Sequence, residues 1–236
     1  MFEAVTRKFQ FRFKDRVTAA NILSEALKDI IKKDQIPNVI ILGIPRGGVI
    51  TADVVARKLS CKMDIIIPRK LTDPDNKEHA VGAVMEDGTT YLDEELVNQL
   101  YITKEYIETE KLHQVEEIKR RTKIYRGDTS SAAADYYSYL KDRTVILVDD
   151  GAATGATIIV AARSLKIRFN PQRLIIAVPV APKDTVGLLK LESDVTEVVT
   201  TPSQFHSVGQ YYKEFNPVSD EQVIKIMQDR TQLPGT

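Results

Sequence analysis

Short apolar runs rich in β-branched residues recur along the chain, and the first three are bounded by Gly, Pro or Asp. Continuous apolar runs of about four to eight residues are typical of parallel strands that are buried on both faces. The pattern therefore predicts strands at residues 38–42, 63–67, 144–148, 174–178 and 195–199.

Amphipathic helical patterns lie between and around these strands, because apolar residues recur there at the spacing of one helix face. They cover residues 18–31, 49–59, 157–167 and 219–229. Strand and helix alternate through most of the chain, which predicts an α/β fold. The expected architecture is a Rossmann-like, mostly parallel sheet flanked by helices.

The segment 93–123 differs in kind, because it is rich in Glu, Lys and Arg and carries apolar residues at helical spacing. It predicts an inserted helical arm. The basic end of this arm, residues 119–126, either contacts an anion or is a solvated terminus that complements the helix dipole. The length of 236 residues fits a single domain over 1–236. Its predicted parts are a core at 36–92 and 142–200, a helical insertion at 93–141 and a small C-terminal hood at 201–236.

Composition and charge indicate a folded globular protein and argue against nucleic-acid and membrane partners. Hydrophobic residues make up 43% and charged residues 28%, which is ordinary for a folded globular chain. Lys plus Arg and Asp plus Glu each number 33, so the overall charge argues against a nucleic-acid partner. The longest apolar runs fall far short of the ~18 residues that span a bilayer, which argues against a membrane partner. The single cysteine, Cys61, is compatible with a reducing interior, and a cytoplasmic location is expected.

The strongest chemical pattern lies at 145–157, where an apolar strand ends in Asp149 and Asp150 and a turn of small residues leads into a helix. Gly151 and Gly155 let backbone N–H groups approach an anion, and the N-terminus of a helix adds partial positive charge. The pattern indicates a phosphate site beside two carboxylates, at the edge of the sheet where α/β proteins bind ligands. It lacks the Lys of a Walker loop and the GxGxxG of dinucleotide sites.

This segment resembles the signature of the type I phosphoribosyltransferases, which is an apolar strand, two acidic residues, a short loop and Thr-Gly-x-Thr. The resemblance implies the fold of that family and phosphoribosyl pyrophosphate as a substrate. It implies that Asp149 and Asp150 act in catalysis by holding the ribose hydroxyls. It also implies a loop for the 5′-phosphate, made of Gly151, Ala152, Ala153, Thr154, Gly155, Ala156 and Thr157.

A second loop is similar to the pyrophosphate loop of the same family. It follows the first predicted strand and reads Gly43-Ile44-Pro45-Arg46-Gly47-Gly48-Val49. The resemblance implies that pyrophosphate contacts Pro45, Arg46, Gly47 and Gly48, and that the peptide bond between Pro45 and Arg46 is cis. A plain glycine-rich turn between strand and helix is the alternative.

Two cations resemble the catalytic cations of the family's mobile loop. Arg69 and Lys70 are predicted to end the second strand, and the polar stretch after them resembles the loop that closes over the reaction. The resemblance implies that both cations stabilise the departing diphosphate. It also implies that a mobile loop over residues 73–88 excludes water from the site.

The base contacts are implied by a third likeness. Residues 205–211 resemble the hood of 6-oxopurine enzymes, which implies that Phe205 stacks on the base with Val180 nearby. A core aromatic is the alternative for Phe205. Ala153 stands where hypoxanthine-guanine enzymes carry an Asp and adenine enzymes carry an Ala. The acceptor base is therefore left open, with a purine favoured.

The function that follows is a Mg²⁺-dependent phosphoribosyltransferase of nucleotide salvage. It would transfer the 5-phosphoribosyl group to a nitrogenous base and release pyrophosphate. The resemblance implies Mg²⁺ as the cofactor, with no direct protein ligand predicted, and a second copy of the chain as a partner in a homodimer. Two alternatives stay open: a regulatory module that senses the donor or a nucleotide without turnover, and a phosphoribosyl pyrophosphate synthetase.

Overall fold

Parallel pairing of the apolar runs builds the centre of the fold. The computed structural model describes residues 11–77, 79–127 and 137–231. Its strands are β1 (Val39–Gly43), β2 (Lys62–Ile65), β3 (Arg69–Thr72), β4 (Ala80–Val84), β5 (Thr90–Leu92), β6 (Thr144–Val148), β7 (Arg173–Val180) and β8 (Val195–Thr200). A parallel sheet has the order β2-β1-β6-β7-β8, which confirms the predicted fold class.

Helices cover both faces of this sheet. They are α1 (Arg16–Ile30), α2 (Gly47–Leu59), α3 (Glu94–Gln99), α4 (Lys104–Arg126), α5 (Ala156–Phe169), α6 (Lys183–Leu191) and α7 (Asp220–Thr231). Short 3₁₀ helices lie at Lys33–Asn38, Ser138–Leu140 and Val208–Tyr211. None of the described helices is long and apolar enough to cross a membrane.

Alternate side chains of the central strands meet different helices. In β1, Val39 and Ile41 pack with residues of α1 and α2, whereas Ile40 and Leu42 pack with residues of α5. All residues of β1 are buried. Burial on both faces explains why these strands are continuous apolar runs rather than alternating ones.

A second sheet is the main feature of the fold that the sequence analysis missed. β3, β4 and β5 form it by antiparallel pairing. The prediction that Arg69 and Lys70 end the second strand is wrong, because β2 ends at Ile65 and both cations lie in β3. The prediction of a mobile loop over 73–88 is wrong for Ala80–Val84, which form the largely buried strand β4, whereas residues 73–77 and 79 lie outside the strands. The sequence of β4, Ala-Val-Gly-Ala-Val, has too little alternation in polarity to indicate a half-buried strand.

The described part of the insertion is helical and packs on the second sheet rather than extending as a free arm. Ile107 and Ile118 of α4 are buried in one cluster with residues of β3, β4 and α7. At the basic end of α4, the Arg126 guanidinium donates to Asp64 at 3.1 Å and to the carbonyl of Ile65 at 2.5 Å. The Arg126 side chain is only 6% exposed, so the interpretation of a solvated helix terminus is wrong for this residue.

Candidate active site

Two adjacent carboxylates lie at the carboxyl end of β6, in the middle of the parallel sheet. Asp149 and Asp150 follow the buried Val148, and the backbone N–H of Asp150 donates to Oδ1 of Asp149 at 2.8 Å. Burial raises the pKa of both carboxyls, and the neighbouring charge of Asp150 raises the pKa of Asp149 further. The pair is therefore costly to ionise in the free protein, and hydrogen-bond donors of a ligand would stabilise its charged form.

The carboxylate of Asp150 is held by an arginine from the other end of the chain. Arg16, the first residue of α1, places its Nε 2.7 Å from Oδ2 of Asp150. Its Nη1 donates to the carbonyl of Asn216 at 2.8 Å, and its guanidinium lies 3.8 Å above the centre of the Phe215 ring. The positive charge opposes the effect of burial on the pKa of Asp150. Arg16 thus joins α1, the hood and the acidic strand at one point.

Sequence reasoning missed Arg16, although a signal for it exists. Asp15 caps α1 through a hydrogen bond from the N–H of Thr18, so Arg16 occupies the first turn. A cation at a helix N-terminus is unfavourable because the dipole is positive there. An arginine in that position therefore indicates a partner outside its own helix.

The loop between β1 and α2 lies directly against the two carboxylates. Its Pro45–Arg46 peptide bond is cis, as predicted. A Cβ atom placed on Gly48 would lie 2.8 Å from the Cα of Asp149, and one placed on Gly47 would overlap the carboxylate of Asp150. Both positions require glycine because a side chain would push this loop away from the acidic strand.

The segment 151–157 turns from β6 into α5, as the sequence predicts. Gly155 has a φ of +77°, a left-handed conformation that favours glycine, and it caps α5. Ala153 and Thr154 are exposed. Oγ1 of Thr154 accepts a hydrogen bond from the N–H of Ala156 at 3.4 Å. The loop therefore presents two exposed residues, one of them with a hydroxyl, at the N-terminus of a helix, which is an arrangement that binds phosphate.

A cationic cavity of about 530 Å³ adjoins the cis peptide bond. Its described lining includes one carboxylate, that of Glu110, and the cations Arg46, Arg69, Lys70, Lys77 and Arg121. The charge of Lys70 acts on the pKa of Asp149 in the direction opposite to burial, so the cavity lies close to the carboxylate pair. The structure thus brings together Arg46, Arg69 and Lys70, the cations that the sequence analysis selected, in a pocket suited to an anion.

The predicted base contacts belong to one cluster, although their role in binding a base stays a prediction. Phe205 stacks on Tyr211 with ring centroids 5.2 Å apart and planes inclined by 27°, while Val180 is fully buried at the end of β7. One face of the Phe205 ring is therefore already covered. Val208, which the sequence analysis did not select, lies close to Gly151. A Cβ atom added to Gly151 would be 2.6 Å from Cγ1 of Val208.

A tyrosine of the hood also holds the acidic strand. The hydroxyl of Tyr212 donates to the backbone carbonyl of Asp150 at 2.5 Å. Burial raises the pKa of Tyr212, so its hydroxyl keeps its proton and stays a donor at neutral pH. Arg16 and Tyr212 together connect the position of Asp150 to the position of the hood.

The described residues contain no group of three His, Cys, Asp or Glu side chains that could hold a metal ion. The hard oxygen donors of the site include the adjacent carboxylates of Asp149 and Asp150. Proteins commonly bind Mg²⁺ through one or two carboxylates, with substrate phosphates and water supplying the other ligands. The carboxylate pair fits that mode of binding.

Comparison with known proteins gives the family. The model of the phosphoribosyl transferase domain matches residues 13–214. Two proteins of Mycobacterium tuberculosis, "Putative phosphoribosyl transferase MT0597" and "Putative phosphoribosyl transferase Rv0571c", are each 32% identical to this chain over 215 residues. The match covers 91% of this chain and 46% of each relative, so the chain spans about half the length of these proteins.

A solved structure agrees with this assignment. TT1426 from Thermus thermophilus is 37% identical to this chain and superposes with a TM-score of 0.71, covering 93% of this chain and 99% of that one. The matched residues 13–214 include Arg16, the glycine loop and the acidic segment of the site. Because the family model spans most of the chain and all three of these features, the protein belongs to the phosphoribosyltransferase family.

Proposed function

We propose that the protein transfers the 5-phosphoribosyl group from phosphoribosyl pyrophosphate to a nitrogenous base and releases pyrophosphate. The observation that carries this proposal is the half-buried carboxylate pair, Asp149 and Asp150, between a glycine loop beside a cationic cavity and the N-terminus of α5. The donor has a matching order of groups, because its two ribose hydroxyls lie between a diphosphate and a 5′-phosphate. The carboxylates would face the hydroxyls, the cationic cavity the diphosphate, and the helix N-terminus the 5′-phosphate. The likeness of the hood to 6-oxopurine enzymes favours a purine as acceptor.

In this proposal the chain's own groups bind the donor and orient it. Asp149 and Asp150 accept hydrogen bonds from the two ribose hydroxyls, which relieves the repulsion between the carboxylates. The loop 151–157, in which Ala153 and Thr154 are exposed, holds the 5′-phosphate at the N-terminus of α5. The loop at 45–48 and the cations of the adjoining cavity receive the diphosphate.

The reaction breaks the bond between ribose carbon 1 and the diphosphate oxygen, and it forms a bond between carbon 1 and a ring nitrogen of the base. Positive charge develops on the ribose ring as the diphosphate leaves. The carboxylates of Asp149 and Asp150 lie where they stabilise that charge, and Arg46, Arg69 and Lys70 stabilise the negative charge of the diphosphate.

Mg²⁺ is the proposed cofactor, and Asp149 and Asp150 are the residues that would hold it beside the donor. When bound, it would neutralise charge on the diphosphate. A role in nucleotide salvage, a cytoplasmic location and a homodimeric state are proposals of the same kind, since they rest on the family likeness.

The proposal is tested by measuring pyrophosphate release from phosphoribosyl pyrophosphate and Mg²⁺ with adenine, guanine, hypoxanthine, xanthine, uracil and orotate. Calorimetry of donor binding accompanies this assay. Release with one base would establish the activity and identify the acceptor. Donor binding without release would favour a sensing module, and no binding would show that the segment 149–157 has been misinterpreted.

Thr154→Val is expected to weaken donor binding about tenfold, because it removes a hydroxyl that the exposed loop offers to a phosphate while keeping the side-chain shape. Calorimetry with phosphoribosyl pyrophosphate measures the change. Thr196→Val is the matched control, since Thr196 bonds to Ser193 at the start of β8, the end of the sheet opposite the site. Equal affinity of Thr154→Val and the control would remove Thr154 from the phosphate loop.

Arg16→Gln is expected to move the acid limb of donor binding to higher pH. The charge of Arg16 lowers the pKa of Asp150, so its loss leaves the effect of burial unopposed and the carboxyl gains its proton at higher pH. Donor affinity measured by calorimetry from pH 5 to pH 8 reports the midpoint. Arg57→Gln is the control, because it removes an exposed arginine that pairs with Asp53 instead of Asp150, and it should leave the midpoint of donor binding unchanged. A midpoint that stays unchanged in Arg16→Gln would contradict the role of Arg16.

A further inference from the structure

The side chain of Arg69 enters the cationic cavity from β3 and is held there by a neutral partner. Its Nε donates to Oε1 of Gln114, on α4, at 2.8 Å. Within the described residues, no carboxylate forms a salt bridge with this guanidinium. An amide fixes the position of a guanidinium without cancelling its charge, so the charge of Arg69 stays available to a ligand.

Gln114 is itself fixed in orientation. It is only 7% exposed, and its Nε2 donates to Oε1 of Glu110, one turn earlier on α4, at 2.9 Å. The contact with Glu110 turns the amide so that its oxygen faces Arg69. The chain of contacts from Glu110 through Gln114 to Arg69 therefore begins in the insertion and ends in the cavity.

A second guanidinium of α4 lines the same cavity. Arg121 is 16% exposed and its Nε lies 2.7 Å from Oε1 of Glu117. Burial lowers the pKa of Arg69 and the charge of Arg121 lowers it further, whereas the charges of Glu117 and Glu110 act in the opposite direction. The repulsion between the two cations is therefore only partly offset by the carboxylates of α4. A bound anion would relieve this repulsion, and a group with several negative oxygens would suit both cations.

We infer that α4 is part of the donor site and that Gln114 is a positioning residue, which holds the guanidinium of Arg69 toward the diphosphate of the donor. The inference rests on the proposed function and assigns a role to the inserted helix. Gln114 acts through Arg69, so its loss should affect binding of the diphosphate and spare binding of the 5′-phosphate.

The test uses calorimetry of the full chain with inorganic pyrophosphate and Mg²⁺, and separately with ribose 5-phosphate. Gln114→Leu is expected to weaken pyrophosphate binding about tenfold and to leave ribose 5-phosphate binding within twofold of wild type. Gln114→Asn, which stays polar but is too short to reach Arg69, should give the same result. Glu116→Gln is the matched control on the exposed side of α4 and should behave as wild type.

A double-mutant cycle with Arg69→Ala separates positioning from a structural role. If Gln114 acts through Arg69, Gln114→Leu causes no further loss of pyrophosphate affinity once Arg69 is absent. Additive losses would overturn the inference, as would a parallel loss of ribose 5-phosphate binding or wild-type pyrophosphate affinity in Gln114→Leu. A wild-type protein that binds neither probe would overturn the proposed function itself, and the inference with it.

Discussion

Asp149→Asn is expected to lower turnover about 10³-fold while raising the stability of the folded chain. The carboxylate is lost from the position where positive charge develops on the ribose, whereas the amide keeps an oxygen for the N–H of Asp150. Pyrophosphate release measures the loss of turnover. Thermal unfolding measures the gain in stability, at about 2–4 °C for each kcal/mol in a chain of this size.

The gain in stability depends on pH in a defined direction. The pKa of Asp149 is raised in the folded state, so the wild type loses stability as the pH rises through that raised pKa and the carboxyl ionises. Asparagine has no charge to develop. The advantage of Asp149→Asn should therefore be greatest at neutral and alkaline pH and should vanish below the ordinary pKa of an aspartate.

Asp150→Asn provides the contrast, since it should abolish turnover, as a stronger effect than that of Asp149→Asn, and should lower the stability of the protein. The buried Arg16 then lacks its anionic partner, which costs about 1–3 kcal/mol. Wild-type turnover in Asp149→Asn, or equal shifts of melting temperature in the two variants, would contradict the roles assigned to the pair.

Gly48→Ala is expected to reduce donor affinity by about 10²-fold and to destabilise the fold by about 2–3 kcal/mol. The added methyl group would meet the backbone of the acidic strand, with the Cα of Asp149 at 2.8 Å and the carbonyl oxygen of Val148 at 3.0 Å. Backbone at the end of a central strand cannot rotate away as a side chain can. Calorimetry and chemical denaturation measure the two effects.

Gly187→Ala is the matched control for this substitution. Gly187 lies inside α6, and a methyl group added there would point into open space, so alanine should raise stability by about 0.5–1 kcal/mol. Donor affinity should be unchanged. If Gly48→Ala matched this control in both measurements, the glycine loop would not need its close contact with the carboxylates.

The parallel sheet and the acidic segment could be predicted from the sequence because both depend on local patterns. Strands buried on both faces are continuous apolar runs, and β6 lies at the residues predicted for it. The glycine loop was recognisable because close backbone contact and the cis bond at Pro45–Arg46 occur in a sequence pattern typical of the family. These features need no knowledge of distant residues.

The rest of the site depends on contacts between residues that are far apart in the chain. Arg16 meets Asp150 and Asn216, and nothing in the residues around Arg16 specifies those partners. The second sheet was missed for a similar reason. The small side chains of β4 show no strand-like alternation in polarity, and they are buried by contacts with the distant helices α4 and α5. The sequence therefore indicates the acidic segment but not α4, which completes the adjoining cavity.

The pairing of β1 with β6 also has a consequence for how quickly the chain folds. It joins residues 39–43 to residues 144–148, so forming the central ladder closes a loop of the chain that contains the whole second sheet and the insertion. Closing so long a loop loses chain entropy before any contact is gained, and non-local pairing slows folding. The glycine loop after β1 and the acidic segment after β6 come side by side only when this ladder forms, so we expect the proposed donor site to be completed late in folding.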